Sequence, residues 1–362
     1  MEKGSVVSIP VPVINVAEAE TEQDVLNYID VSLLGNVIEE NKANITFSGD
    51  PKAFGYFSNT DFLKLEQHDG ILLTSGIAGN AVQPNKCNTS GNVSTNNDGL
   101  TTDQDLVLLA SGQTVSDVSV FEFDYRPSND TFSLNYVFAS EEYHDMINRG
   151  SHDVFGIFLS GPGINGAFSN NAENIATITA ENLPVNAGTI NFGPGGLTCE
   201  GTPPGCNNCE FLVNNSEKPD SAFFALAYDG YTVPMNATVM VQPGEWYHVK
   251  IAMADGQSEL DDSGIFISSG TLVSDSLMTG IRRIVGEENI RVRPNPADDF
   301  VEIDNPGGET IIGFTVYDIN GRILAEQPFE NNRISLEGFP VGLLFIELKT
   351  KNGWVRFKVV HR

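Results

Sequence analysis

Two runs in the middle of the chain decide the fold class: Val118-Ser119-Val120-Phe121-Glu122-Phe123 and Phe132-Ser133-Leu134-Asn135-Tyr136-Val137-Phe138. Apolar and polar residues alternate along most of both runs, and successive side chains of an extended strand point to opposite faces. A period of two therefore predicts β-strands that have one face in a core and the other in water.

Similar runs recur on both sides of this pair, separated by clusters of turn-forming residues. They are residues 44–47, 70–74, 154–159, 246–251 and 264–267. Helical periodicity is largely confined to residues 22–34, where Leu26, Ile29, Leu33 and Leu34 share one face and Gly35 follows as a C-cap. The sequence therefore predicts an all-β fold, a large antiparallel β-sandwich of jelly-roll type with one N-terminal helix.

The charge of the chain excludes one class of partner. Asp and Glu outnumber Lys and Arg 48 to 20 in 362 residues, and a net charge of -28 repels phosphate backbones, so we expect no nucleic-acid partner. No apolar run approaches the ~18–20 residues of a membrane helix, so we expect no transmembrane segment. The charge is uneven: residues 281–362 carry 11 basic and 12 acidic side chains, which leaves 9 and 36 for the rest and indicates two bodies.

We divide the chain accordingly. Residues 1–20 form an N-terminal leader or edge segment, and residues 21–272 form the large sandwich. The strand pattern stops at residues 273–288, which are polar and charged and are interpreted as a linker. Residues 289–362 have room for about seven short strands, the size of a small immunoglobulin-like sandwich.

Short blocks of residues follow one another in the last segment: Pro294-Asn295-Pro296, then Tyr317-Asp318-Ile319-Asn320-Gly321-Arg322, then Phe339-Pro340-Val341-Gly342, and a final strand with Lys358-Val359-Val360. The prolines stiffen a strand entry, and Asn320-Gly321 suits a hairpin turn with positive φ. In this order the blocks closely resemble the type A C-terminal sorting domain of the type IX secretion system of Bacteroidetes.

That resemblance implies a partner and a location. The partner is the type IX secretion machinery, and the protein is expected outside the cell or on the outer-membrane surface. The residues that carry the motif are Pro294, Asn295, Pro296, Asp318, Gly321, Arg322, Gly342 and Lys358. The sequence starts without the charged and then apolar plan of a signal peptide, so we expect a removed leader or a misplaced start.

Blocks in the larger part, including residues 68–76, 138–143, 153–163 and 247–255 and the run Asp261-Asp262-Ser263-Gly264-Ile265-Phe266-Ile267, resemble the choice-of-anchor L domain over about residues 21–272. This family is named for its occurrence beside different surface-anchoring tails. The resemblance implies a location and an architecture, but no chemistry.

Acidic residues in the predicted loops are candidate ligands for calcium, which prefers six to eight oxygen atoms in flexible geometry. The candidates are Glu141, Glu142, Asp153, Asp255, Asp261 and Asp262. Neighbours on a strand point to opposite faces, so we expect one residue of each adjacent pair to face an ion. The alternative is solvated acid on a very acidic surface.

Two further patterns could bind metals. Residues 94–99 together with Asp105 match the spacing of an EF-hand loop, but Ser94 replaces the leading Asp and no helices flank it, so a surface turn is favoured. Cysteines at 199, 206 and 209 could form a zinc knuckle. In an exported protein, four cysteines favour disulfides, so Cys87, Cys199, Cys206 and Cys209 are disulfide candidates with undefined pairing.

No GxSxG, HExxH or phosphate-loop motif is present. We therefore expect a calcium-stabilised binding or adhesion module whose ligand is a carbohydrate or a surface protein. The alternative is a secreted, carbohydrate-active hydrolase that uses a pair of loop carboxylates across a groove, beside aromatic residues such as Tyr231 or Trp246. A third possibility is a structural component of the surface layer.

Overall fold

The computed structural model describes residues 14–35, 37, 39–58, 63–65, 68–85, 95–145, 152–178, 182–193, 205–215, 225–256, 261–270, 272, 290–306, 310–318, 322–329, 332–350 and 353–362. The chain divides into two compact units, Met1–Ser274 and Asp275–Arg362. Strands dominate both units, so the prediction of an all-β fold is confirmed. The predicted linker at 273–288 lies outside the described residues.

The large unit consists of two antiparallel sheets and a small ribbon. Its strands are β1 (Asn15–Glu18), β2 (Lys42–Ser48), β3 (Phe54–Ser58), β4 (Asp69–Thr74), β5 (Ser116–Tyr125), β6 (Thr131–Ser140), β7 (Val154–Ser160), β8 (Glu173–Asn174), β9 (Thr177–Ile178), β10 (Leu183–Pro184), β11 (Leu212–Asn214), β12 (Gly230–Thr232), β13 (Met235–Met240), β14 (Tyr247–Asp255) and β15 (Ser263–Ser268). The first sheet has the order β1-β3-β4-β15-β6-β12-β11, with β13 also paired to β6, and the second has the order β2-β5-β14-β7-β8.

Aromatic rings fill the space between these two sheets. The ring of Phe54 on β3 meets that of Phe121 on β5 at 5.5 Å between centroids, and Tyr136 on β6 meets Phe155 on β7 at 5.4 Å. The first sheet also buries its other face, where Phe266 packs with residues of the 225–228 segment. Burial on both faces explains why β4 and β15 are almost continuously apolar instead of alternating.

The predicted N-terminal helix is present but changes form halfway. Helix α1 spans Glu22–Tyr28 and begins at a capping box between Thr21 and Asp24, and residues Ile29–Leu33 continue it as a π-helical turn. A side chain at Gly35 would place its Cβ 2.2 Å from the Val31 carbonyl oxygen, which explains the glycine. Two short helices, α2 (Gln104–Leu109) and α3 (Glu142–Asp145), were not predicted.

The small unit has seven strands around its own core. They are β16 (Arg291–Arg293), β17 (Phe300–Asp304), β18 (Ile311–Tyr317), β19 (Ile323–Gln327), β20 (Arg333–Ser335), β21 (Gly342–Thr350) and β22 (Gly353–His361). They form a sheet of order β16-β17-β20 and a sheet of order β19-β18-β21-β22. Val301, Val316 and Ile346 are fully buried in the core that these strands share.

Helix α2 packs on the second sheet of the large unit through apolar side chains and through an ion pair with one lysine. Lys250 on β14 donates to Asp103 Oδ2 at 2.7 Å and to Asp105 Oδ2 at 2.8 Å. Asp103 is the N-cap of α2, and Asp105 also accepts bonds from the backbone and hydroxyl of Ser169. Although burial opposes it, hydrogen bonds from Lys250 and Ser169 lower the pKa of Asp105 below its ordinary value, so the pair is ionised.

Replacing Lys250 by methionine should destabilise the large unit by on the order of 3 kcal/mol, because it leaves the buried Asp105 carboxylate without its cation. The measurement is the midpoint of urea-induced unfolding. As a control, Lys52→Met at an exposed position should change the free energy of unfolding by less than about 0.5 kcal/mol. Equal midpoints for the Lys250 variant and the wild type would contradict this account.

Candidate functional site

Six strands of the large unit bring polar residues to one end of the sandwich. In the first sheet, β15 runs antiparallel to β4 and β6, so the ends of β4 and β6 lie beside the start of β15. In the second sheet, the end of β14 lies beside the starts of β5 and β7. The Ser75 hydroxyl, just after β4, donates to Asp153 Oδ2 just before β7 at 3.5 Å, which connects the two sheets.

The six predicted calcium ligands lie at or just beyond these strand ends, and all are buried: Glu141, Glu142, Asp153, Asp255, Asp261 and Asp262. They are therefore not solvated surface acids. The assumption that Glu141 and Glu142 share a strand is wrong, because β6 ends at Ser140 and α3 begins at Glu142. Below, "acid cluster" means Glu142, Asp153, Asp255 and Asp262.

Backbone donors fix two members of the acid cluster. The amide of Asp153 donates to Glu142 Oε2 at 3.1 Å, and the amide of Gly256 donates to Asp153 Oδ1 at 3.1 Å. Asp153 therefore lies between Glu142 on one side and the end of β14 on the other. Glu141 differs from them: its backbone amide donates to the carbonyl of Asp262.

Asp262 is held by the segment after residue 94. Thr95 donates to its carboxylate from the backbone amide at 3.1 Å and from the hydroxyl at 2.8 Å. A Cβ at Gly76 would lie 1.8 Å from Asp262 Oδ2, so only glycine leaves room for this carboxylate. The residues with EF-hand spacing therefore do not form one loop around an ion. Thr95 bonds Asp262 of the acid cluster, whereas Asp105 pairs with Lys250.

Asp255 has no such support. It is 1% exposed, and among the described residues no donor reaches either of its carboxylate oxygens in hydrogen-bonding geometry, although Ser75 lies near enough to favour the charged form. Buried polar atoms in folded proteins almost always have partners, and a carboxylate without one is costly. Among the described residues, Asp255 is the buried carboxylate whose two oxygens both lack a hydrogen-bond partner.

The acid cluster is electrostatically uncompensated. Burial, reinforced by neighbouring negative charges, raises the pKa of Glu142, Asp153 and Asp255 well above the ordinary range, and burial raises that of Asp262 to about 7. Among the described residues, no lysine or arginine pairs with these four carboxylates.

His152 lies 3.5 Å from Glu142 Oε1, but burial lowers its pKa, which favours the neutral ring. It therefore contributes no positive charge to the acid cluster at neutral pH. The buried carboxylates are therefore stabilised either by protonation or by a bound cation.

The carboxylates of the acid cluster do not form a compact group of metal ligands. We considered groups of at least three His, Cys, Asp or Glu ligand atoms that lie within 4.8 Å of one another. Among the described residues, the only such group is Cys206, Cys209 and Glu210. Cys206 and Cys209 form a disulfide, so they cannot supply thiolates to zinc. Cys87 and Cys199 lie outside the described residues. No three carboxylates of the acid cluster converge on one point as they stand.

Sequence reasoning missed the hydroxyl and amide groups that complete this region. Ser263 Oγ donates to Ser140 Oγ at 2.8 Å, the amide of Ser263 donates to Ser75 Oγ at 3.0 Å, and Asn97 donates to the Ser75 carbonyl. A signal existed, since Ser140 directly precedes Glu141 and Ser263 directly follows Asp262. Only the strand pairing shows that these separate positions meet.

In the small unit, the residues of the sorting motif close turns and join strands. Asp318 and Arg322 close the β18–β19 hairpin, with the Arg322 amide donating to Asp318 Oδ1 at 2.9 Å, whereas Gly321 lies outside the described residues. Gly342 has φ +123°, in the region that favours glycine.

Asn295, between Pro294 and Pro296, bonds the last strand with both ends of its amide. Nδ2 donates to the Lys358 carbonyl at 2.9 Å, and the Val360 amide donates to Oδ1 at 2.8 Å. The side-chain amide thus makes one donor and one acceptor hydrogen bond to the backbone of β22, as the backbone of a neighbouring strand would.

These features define a β-sandwich protein with a second, smaller β-domain at its C-terminal end. Residues 16–273 match the choice-of-anchor L domain, and residues 291–362 match the secretion system C-terminal sorting domain. The chain belongs to the choice-of-anchor L family. The sorting domain implies interaction with the type IX secretion machinery and a protein that is secreted or attached to the outer surface. None of the helices in the described residues has the length and apolar character of a membrane-spanning helix.

Other comparisons add little. No curated protein matches the sequence. Solved structures with similarity include an FMN-binding β-glucuronidase from Facaelibacterium prausnitzii L2-6 (9% identity, TM-score 0.17, 69% of this chain and 33% of that chain) and a β-glucuronidase from an uncultured Clostridium (12%, 0.20, 91% and 46%). Another is the adhesin domain of Epf from Streptococcus pyogenes (8%, 0.17, 91% and 94%). The chain spans less than half of either glucuronidase, and such low TM-scores support no functional assignment.

Replacing Asn295 by alanine should loosen the end of β22, because two backbone groups of that strand lose their partner at a cost of about 1–3 kcal/mol. We expect a carboxypeptidase that accepts basic C-terminal residues to release Arg362 and His361 at least about fivefold faster, since it acts on the locally opened strand. Gln327→Ala, at an exposed position, is the matched control. Unchanged release from the Asn295 variant would show that the bonds do not hold the strand.

Proposed function

We propose that the acid cluster binds calcium and that the large unit is a calcium-stabilised binding or adhesion module, displayed outside the cell by means of the sorting tail. The observation that carries the proposal is Asp255, a fully buried carboxylate whose oxygens have no hydrogen-bond donor among the described residues. A cation would supply the missing partner and offset the repulsion between Asp255, Asp153 and Asp262.

The donor set fits calcium better than a transition metal. Carboxylate, hydroxyl and backbone oxygens surround the region, and calcium accepts six to eight such atoms. Glu142, Asp153, Asp255 and Asp262 would supply the charged ligands, and Ser75 is the nearest hydroxyl that bonds a member of the cluster from the other sheet. Bound there, the ion would join strand ends of both sheets, so its contribution is to stability.

Burial of these carboxylates does not favour the hydrolase alternative. A glycosidase needs two acids that face a substrate across an accessible groove, whereas every member of the acid cluster is at most 3% exposed. The two aromatic residues proposed to line such a groove do not support this alternative. Tyr231 is buried in the core, and Trp246 precedes β14, about 30 Å along the strand from Asp255.

The ligand of a binding module would need a different, open surface. A cavity of about 570 Å³ lies at the opposite end of the same strands, within the size range of small-molecule sites. It is lined by Tyr125, Ser128, Asn129, Asp130, Thr131, Phe132, Ser133, Pro243 and Leu272. The hydroxyl, amide and carboxylate groups of this lining suit the hydroxyl groups of a carbohydrate.

Calcium should raise the melting temperature of the EDTA-treated full chain by about 5–10 °C at concentrations near a hundred times the dissociation constant, because it binds only the folded state. In Asp255→Asn, the shift should be clearly smaller than in the wild type. The same variant in EDTA should be at least as stable as the wild type, because one buried charge is gone. Differential scanning calorimetry measures both effects.

Glu245→Gln is the matched control, an exposed acid near the opposite end of β14, and it should keep the full calcium shift. If calcium leaves the wild-type melting temperature unchanged, the calcium proposal is wrong. If the Asp255 and Glu245 variants respond alike, calcium acts through the general surface charge and not through the acid cluster.

The binding proposal makes a separate prediction. On a glycan array, the wild type should bind a defined set of sugars, and Asp130→Ala should reduce that binding at least about tenfold, because it removes a charged hydrogen-bond acceptor from the cavity. Glu245→Gln should bind like the wild type. Binding that is unaffected by the Asp130 substitution would place the ligand elsewhere.

A further inference from the structure

The charge of the acid cluster exceeds what one divalent ion can neutralise. Its four carboxylates carry a formal charge of -4 when ionised, and no described lysine or arginine pairs with them. Asp261 is a fifth buried acid next to the cluster and has a positive φ of 104°, a backbone conformation that non-glycine residues rarely adopt. A single calcium ion would leave at least half of this charge uncompensated in a buried region.

Distances lead to the same conclusion. Calcium binds oxygen at 2.3–2.6 Å, so two ligands of one ion are at most about 5 Å apart. No three acidic ligand atoms of the cluster lie within 4.8 Å of one another. As the carboxylates stand, one ion can therefore contact no more than two of them, which leaves the other two without a cation.

The contacts divide the cluster into two poles. At the first pole, Glu142 accepts a hydrogen bond from the Asp153 amide, and the negative charges that interact with it are those of Asp261 and Asp153. The neighbouring Tyr143 hydroxyl is fully buried and has no hydrogen-bond partner among the described residues.

At the second pole lies Asp255, whose charge neighbours are Asp153, Asp262 and Asp117. Tyr143, next to Glu142 in the chain, and Asp255 are thus buried polar side chains that have no hydrogen-bond partner in the described part of the unit. Asp153 lies between the poles, with the amide of Gly256 on one oxygen and the hydroxyl of Ser75 on the other.

We propose that the acid cluster holds two calcium ions, one bound through Glu142 and one through Asp255, with Asp153 placed between them. This inference rests on the proposed calcium function and adds its stoichiometry and arrangement. Two ions offset a charge of -4, and each needs only two carboxylates together with hydroxyl, backbone or water oxygens. Asp153 has two carboxylate oxygens and can therefore be shared.

The test is isothermal titration of EDTA-treated full chain with calcium chloride in about 0.15 M KCl, where exposed charges are screened. The expected result is two calcium ions per chain for the wild type. Glu142→Gln and Asp255→Asn should each retain one, because each substitution removes a charge from one pole. Glu245→Gln should retain two. Circular dichroism and the melting temperature in EDTA establish that every variant is folded.

The outcomes separate the two proposals. One ion in the wild type, or loss of all binding in both single variants, would overturn the two-ion arrangement and leave a single calcium site. No binding in the wild type would overturn both proposals, and the carboxylates would then be neutralised by protons. The wild-type stoichiometry does not depend on the folding of any variant, so the inference can be tested even if a substitution unfolds the chain.

Discussion

Like charges buried at the meeting point of two sheets are the constraint on which the large unit depends. Glu142, Asp153, Asp255 and Asp262 occupy positions where β4, β6 and β14 end and β5, β7 and β15 begin. An interior that excludes water magnifies their repulsion. Hydrogen bonds from Thr95 and Ser75 stabilise the carboxylates of Asp262 and Asp153, whereas no donor among the described residues bonds Asp255. In our proposal, calcium converts the most strained end of the sandwich into the most strongly held one.

Sequence patterns predicted the fold class because alternation is a local property. The alternating runs of β5 and β6 are strands as predicted, and the helix after residue 21 is present. The pattern did not predict the π-helical turn at Ile29–Leu33 or the short α2, whose Asp105 pairs with Lys250, a residue more than 140 positions away. Distant pairing leaves no periodic trace in a single sequence.

The acid cluster was predictable only in its local features. The acids were recognised because they stand in loops beside strand-like runs, but their burial could not be read from composition in so acidic a chain. Nor could the roles of Ser75 and Thr95 be predicted, since these residues meet Asp153 and Asp262 only through the fold. In the sorting tail, the motif was clear from the sequence. The pair of hydrogen bonds between Asn295 and β22 could be found only from the structure.

Leu272 is the last described residue before the segment that leads to the tail, and it lines the cavity at the end of the sandwich opposite the acid cluster. If a ligand binds in that cavity, the ligand and the segment that leads to the sorting tail are both attached at the same end of the large unit. A pull between a bound surface and the sorting tail would then load only that end. The strand ends at the acid cluster would carry little tension. The calcium ions that we propose there would therefore protect the protein against heat and proteases and not against mechanical force.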